Sequence, residues 1–395
     1  MAQTIRPGHL IQRLMFFSPL PLEARASLIF LFSEAPAGNS YCPSSSSRVI
    51  CPNDLAWRND GAQNRYFLNR FLKNTGDKNM KRIARQDAKA YVFDRSLRPK
   101  LRVEPGEKFT VETEDASTGY LREEGQSPLD RPLIDTWPPS VNPVAGPIYI
   151  EGVQRGDLLA VNIEDILVAD DQSFTFAYRR GPIQDSLKWS EAAAPWTHIL
   201  RHEIGPSGTM RDGKIWFNER ICWPVSPFVG TIAVAPEREV LSSIYGQGTG
   251  GGNIDCRDVK PGNTFFVNSQ NEGGLLFIGD VHASQGDMEF SNVAAETRAE
   301  VTLSVDVLPG KKIPYPRIET PSSLISLYNS RPLEHALTRA AFILMEWLVE
   351  EYGITQRDAY MQLSVNPGVR VHVYQMTPDM PLLYTVGVEF PRESI

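Results

Sequence analysis

The sequence predicts an α+β fold dominated by strands, with antiparallel sheets in sandwich-like or barrel-like units and helices mainly near the C-terminus. Three observations carry this prediction. Short runs of alternating apolar and polar residues recur from residue 90 onward, as half-buried strands require. The 29 glycines and 30 prolines punctuate these runs, and turn formers at that density suit strand-rich folds. Only one long stretch has clear helical periodicity, and it lies beyond residue 330.

The elements follow in order. KLRVEPGEKFTVETED alternates on both sides of Pro105-Gly106, as two strands joined by a tight turn do. Residues 121–147 are rich in proline and charge and have no period, so they form a long loop of the kind that serves as a lid or binding loop. PIYIEG leads into a strand, and LLAVNIEDILV after Gly156-Asp157 is another. His198 and His202 stand at i, i+4, but Glu does not follow His198 and Pro195 and Gly205 leave little room, so solvated histidines on a short surface helix or edge strand are expected. FVGTIAVA at 228–235 reads as a buried strand. Leu333, Leu337, Ala340, Leu344, Trp347 and Leu348 form one apolar helical stripe that stops at Gly353. Thr355 with Asp358 caps a shorter helix, and His335 lies off the stripe. Short strands over 369–374 and 382–388 close the chain.

Composition narrows the function. With 395 residues, 42% of them hydrophobic and 22% charged, the chain can bury a sizeable core. A net charge of −7 argues against a nucleic-acid partner. Four cysteines, Cys42, Cys51, Cys222 and Cys256, form neither a disulfide framework nor a CxxC pair. Cys256 adjoins Asp255, but strand neighbours point to opposite faces. Residues 1–79 differ from the rest. Their apolar runs are too short to span a membrane, and Glu23 and Arg25 interrupt what a signal peptide ending near Ala35-Pro36-Ala37 would need. We read 1–79 as a poorly ordered extension, translated from a mistaken start, with an ordered targeting segment as the competing reading. An N-terminal β-rich part (80–240) and a C-terminal part (241–395) follow. The expected setting is cytoplasmic, without a membrane partner, and the expected state a homo-oligomer.

The chemistry concentrates in 250–306. Asp255 follows a triple glycine, and Asp280, His282, Gln285, Asp287 and Glu289 crowd one turn after a strand containing Leu276 and Ile278. One imidazole among several carboxylates suits a metal site with open positions. Residues i and i+2 share a strand face, so Asp280 and His282 point together, and Asp287 and Glu289 repeat the spacing. The competing reading is a Gly-rich turn whose polar groups only tie down backbone. Asp115, before Ala-Ser-Thr-Gly119, is either an Asx-turn or a carboxylate at the edge of a site. Glu151 alone reads as an exposed charge at a strand end.

The same residues carry a family resemblance. GGNID at 251–255, EGG at 272–274, GDVHASQGDME at 279–289 and AET at 295–297 resemble the acetamidase/formamidase family of metal-dependent amidohydrolases. VETEDASTG at 111–119, PVAGPIYIEG at 143–152 and SPFVGTIAVAPE at 226–237 extend it over most of 90–395. The resemblance implies hydrolysis of a small linear amide, formamide-like or acetamide-like, to ammonia and the carboxylate by metal-activated water. It implies a divalent metal, zinc as the expected ion, with Asp115, Asp255 and His282 as ligands. Glu289 would carry the proton, Asp287 would exchange roles with the carboxylates, and Glu151 and Glu272 would line the substrate site. Two departures stand out: Met288 replaces a small residue and would narrow the pocket, and KAYVFDRSLRPK lacks the histidine relatives carry upstream. The alternative is a catalytically silent member that binds a small ligand or metal.

Overall fold

Alternation along each strand decides what it buries. In the strand Ala299–Leu308, the side chains of Ala299, Val301, Leu303 and Val305 are buried and those between them are more open at its start. This strand pairs antiparallel with Phe109–Thr113 on one side and with Leu158–Val168 on the other. Extension of that pairing builds a nine-stranded sheet whose far edge is formed by Ser323–Ser330, Tyr384–Pro391 and Arg370–Gln375. A six-stranded sheet faces it. There the wholly buried strands Phe228–Val234 and Leu276–His282 lie between Gly251–Asn253 and Val144–Ile150. Val161, Phe265, Val301 and Leu303 from the larger sheet join Ile148, Ile232 and Ile278 from the smaller one in a shared core. Each such side chain contributes about 1.5–3 kcal/mol over its exposed state. The computed structural model describes residues 80–395, except 133, 179–182, 184, 185 and 379. The extension expected over 1–79, with Cys42 and Cys51, lies outside the described residues.

The architecture is the expected β-dominated α+β sandwich, and among the described residues no sheet closes into a barrel. Strands from both sides of position 240 interleave in both large sheets. Two helices cover the outer face of the nine-stranded sheet: α1 (Leu333–Tyr352) and α2 (Gln356–Val365). Ala340, Leu344, Trp347 and Leu348 of α1 pack on Leu324, Val388 and Phe390. Gly353 ends α1 with a left-handed φ of 68°, a conformation glycine takes without a Cβ penalty. Thr355 accepts the amide hydrogen of Asp358 and opens α2. No described helix is long and apolar enough to cross a membrane.

Two expectations are corrected here. The strands flanking Pro105-Gly106 do not pair with each other. Leu101–Val103 runs parallel to Val144–Ile150 in the smaller sheet, whereas Phe109–Thr113 joins the larger one, so the turn carries the chain across the sandwich. Alternation specifies which face is buried and leaves the partner open. The i, i+4 histidines lie on the strand Trp196–Glu203 of a separate four-stranded sheet. His198 is tied to Glu124 and the Phe217 carbonyl, and His202 to Ser173 and the Asp170 carbonyl.

Candidate active site

The site forms where the six-stranded sheet's central strands end. Gly279 pairs with Thr231 on one side and Val144 on the other, so Asp280 and His282 emerge from the most buried part of that sheet. Asp255 follows the strand Gly251–Asn253, and its amide donates to the Gly230 carbonyl. Gly230 is the reason two carboxylates can meet here. A Cβ at that position would stand 2.7 Å from the Asp280 carbonyl and 2.8 Å from Asp255 Oδ1. Glu296 arrives through a bridge opposite His282 and is tied to Phe174 by two backbone hydrogen bonds. Glu289 comes from the single turn Asp287–Glu289. Asp255, Asp280 and Glu289 have φ of 44°, 56° and 46°, a left-handed conformation that costs non-glycine residues roughly 1 kcal/mol or more each. Such strain is characteristic of sites where side-chain direction matters more than backbone ease.

His282 is the hub. Its Nε2 lies 3.3 Å from Glu296 Oε2, 3.4 Å from Asp280 Oδ1 and 3.9 Å from Asp255 Oδ1. Its Nδ1 faces Gln285 Oε1 at 3.0 Å, and Gln285 Nε2 donates to the Asp255 and Tyr374 carbonyls. Those two carbonyls can only accept, so Gln285 Oε1 is an acceptor and Nδ1 carries a proton. The other nitrogen is thereby aimed at the carboxylates. Phe228 closes one side of the ring edge-on, with centroids 4.9 Å apart.

Burial works against every charge in this cluster. It raises the Asp255 pKa well above the ordinary value, and the charges of Glu289 and Asp280 add to it. Burial likewise raises Glu296, against the pull of His282, and lifts Glu289 to about 7. For His282 burial acts downward, yet Glu296 and Asp280 outweigh it and hold the imidazole well above its usual range. Asp255 Oδ1 and Glu296 Oε2 are buried without a hydrogen-bond partner. One imidazole, even when protonated, is shared among three buried carboxylates, so the cluster is short of positive charge unless a cation is held there.

The donors fit a divalent ion. Oxygens and nitrogens about 2.0–2.2 Å from a tetrahedral centre stand roughly 3.3–3.6 Å apart, close to the separations around Nε2. Ligand atoms of Asp255, Asp280 and His282 lie within 4.8 Å of one another, as do those of His282, Glu289 and Glu296. Around them, Gln375 Nε2 donates to Asp255 Oδ2, and Thr231 Oγ1 lies 3.1 Å from Asp280 Oδ2. Cys256 is buried in the core and takes no part in either group.

The other sequence candidates are dispersed. Asp115 Oδ1 accepts from the Ser117 amide, the Ser117 hydroxyl and the Gly119 amide at 2.6–2.9 Å, the Asx-turn arrangement, and Arg298 and Arg122 stand 3.6 and 3.9 Å from Oδ2. Asp115 is in neither converging group. Asp287 points outward to Arg257 at 3.0 Å, because the turn with Met288 at φ 76° is no strand and the i, i+2 rule fails. Glu151 pairs with Arg102 on the surface, and exposed Glu272 accepts from Tyr149. Met288 is not among the residues lining the cavity at the cluster. Glu296, which sequence reasoning passed over, was visible only as the middle of the AET motif. Asp280 shares a strand face with His282 in the sequence, but the family resemblance does not mark it as a ligand.

A cavity of about 300 Å³ opens onto Asp255, Asp280, His282, Glu289 and Glu296. Leu129, Ile134 and Val141 of the long loop are among the residues that line it.

Comparison with known proteins bears on this arrangement. The sequence model of the Acetamidase/Formamidase family matches residues 78–248 and 237–388. A formamidase of Methylophilus methylotrophus is 25% identical over 236 residues, which span 48% of this chain and 56% of that enzyme. An acetamidase of Mycolicibacterium smegmatis is 24% identical over 339 residues, 67% of this chain and 82% of that one. The fold is similar to the crystal structures of acetamidases from Yersinia enterocolitica (TM-score 0.70, 29% identity, 81% of this chain and 94% of that) and Bacillus halodurans (0.69, 25%, 79% and 98%).

Proposed function

From the premise that the chain belongs to the Acetamidase/Formamidase family of amidohydrolases, we propose that it hydrolyses a small linear amide to ammonia and the carboxylate with a divalent metal at His282. The observation that carries the metal is the pair of orphaned oxygens, Asp255 Oδ1 and Glu296 Oε2, flanking His282 Nε2. Asp255, Asp280, His282 and Glu296 would hold the ion, and zinc is the ion we propose for a set of one imidazole and carboxylates. Asp115 drops out of the ligand set, and Asp280 and Glu296 enter it. Such an ion supplies Lewis acidity, polarising an amide carbonyl and making a water easier to deprotonate.

The chain's own residues do the rest. Glu289, buried in one group with His282 and Glu296, is outside the proposed ligand set and so is free to exchange a proton. Its carboxylate takes the proton of the attacking water and passes it to the departing nitrogen. Gln285 holds the imidazole's orientation, and Gln375 holds that of Asp255. The enclosing cavity wall keeps bulk water from competing for these groups.

The test is metal analysis of the purified protein together with ammonia release from a panel of primary amides, before and after chelation. Bound metal with chelation-sensitive release is the expected result. Metal without release from any amide favours a silent, ligand-binding member, and release that survives complete metal removal overturns the metal's role.

A further inference from the structure

Leu129, Ile134, Phe176, Tyr178, Met380 and Leu382 give the cavity apolar surface besides its polar cluster, and Arg131 and Asp135 of the same loop also line it. Phe176 and Tyr178 meet edge-to-face with centroids 5.2 Å apart, and Phe174 stacks behind Phe176 at 6.2 Å, so the aromatic wall is braced. Arg131 lies over the Phe176 ring at 5.0 Å and donates to the Pro128 carbonyl, which ties the long loop to this wall. The volume of about 300 Å³ reaches the lower bound of pockets that enclose drug-sized ligands, about 300–1,000 Å³. Formamide and acetamide have three and four non-hydrogen atoms by their formulae. Either would leave most of this space to water against apolar walls, where a liquid water occupies only about 30 Å³.

Resting on the amidohydrolase reading, we propose that this site takes primary amides whose acyl group carries a ring, with the carboxamide at His282 and Glu289 and the ring against the apolar residues that line the cavity. The reaction balances as hydrolysis. Water adds its oxygen to the carbonyl carbon, the C–N bond breaks, and the water proton moves through Glu289 to the nitrogen, which leaves as ammonia. The ring takes no part in bond changes. It displaces water from apolar surface and holds the carbonyl in place, so it acts on kcat/KM through orientation as well as affinity. Phenylacetamide is the simplest probe with these features.

The experiment measures kcat/KM by ammonia release for formamide, acetamide, isobutyramide and phenylacetamide on the metal-loaded full chain. The expected result is a rise along the series, with phenylacetamide above acetamide by more than tenfold, since single methylenes in apolar pockets discriminate by about 10–200-fold. The Ile134→Trp variant, which fills cavity space from a loop position, lowers the phenylacetamide-to-acetamide ratio about tenfold, and unchanged circular dichroism confirms that it folds. Acetamide or formamide exceeding phenylacetamide overturns the ring-bearing class while leaving the amidohydrolase reading intact. A wild-type chain that turns over none of the four, with metal bound, removes the reading itself. An unchanged ratio in Ile134→Trp places the ring elsewhere and overturns the assigned wall.

Discussion

The strand Leu276–His282 has a carboxylate group near each end, and the two could hardly differ more. At the His282 end, Asp255, Asp280, Glu289 and Glu296 are all buried, and two of their oxygens lack partners. Toward the other end, roughly 20 Å away at 3.3 Å per residue, Arg102 makes a two-point pair with Glu151 and stacks 3.7 Å above Tyr149, which donates to Glu272. The second group is exposed and complete in itself. The first is buried and incomplete. Both are groups of acidic residues, and the difference lies in solvent access and partners. Chemistry follows the incomplete group, because unsatisfied buried charge is where a ligand gains most.

Breaking the hub should have the largest effect. His282→Ala removes the nitrogen on which three carboxylates converge, so metal content and ammonia release should both fall below detection, measured by elemental analysis and steady-state assay. Retained metal in that variant would place the ion elsewhere. Next comes Glu289→Gln, which keeps shape but cannot move a proton; kcat should drop by about 10²–10⁴ with metal content unchanged. A Gln variant with near-normal kcat would assign the proton to another group.

Protonation sharpens the contrast further. Between its ordinary value of 4.5 and about 7, Glu289 keeps a proton in the native chain that the unfolded chain has released. The native state then binds more protons, so rising pH favours unfolding through this window. Asp255 and Glu296, also raised by burial, act in the same direction. His282 is raised too, so its contribution is full below 6.5 and is lost as pH climbs through its native value. A bound cation reverses the balance by neutralising the carboxylates. The gap in Tm between metal-loaded and chelated protein should therefore widen as pH rises through this window. A gap that narrows would mean the carboxylates are already satisfied without an ion.

Smaller effects separate structural acids from functional ones. Asp115→Asn keeps the acceptor for Ser117 and Gly119 but sets an amide against Arg298 and Arg122, costing about 1–3 kcal/mol in denaturant unfolding with metal stoichiometry intact. Loss of metal in that variant would restore Asp115 to the ligand set. Glu151→Gln, at the exposed end, should leave metal content and kcat/KM unchanged, and a drop in either would join the two ends functionally.

Much was legible without coordinates. Alternation marks Leu158–Val168 and Ala299–Leu308 as strands, and the apolar run at 228–235 marks a buried one, because side-chain period and burial are local properties. The α1 stripe and its Gly353 stop are local as well. The GDVHASQGDME stretch announces the hub histidine and Glu289, and the turn residues around them belong to the family pattern. What escaped is non-local. The pairing of Leu101–Val103 with Val144–Ile150 depends on which sheet each strand joins, and alternation is silent on that. Glu296 enters the site through a bridge to His282, and Asp287 leaves it because Met288 turns the backbone left-handed. The sequence by itself determined the β-dominated class, the family and the residue types at the centre. Only the tertiary structure decided which carboxylates lose their water, since desolvation depends on everything packed around a group and not on its neighbours in the chain.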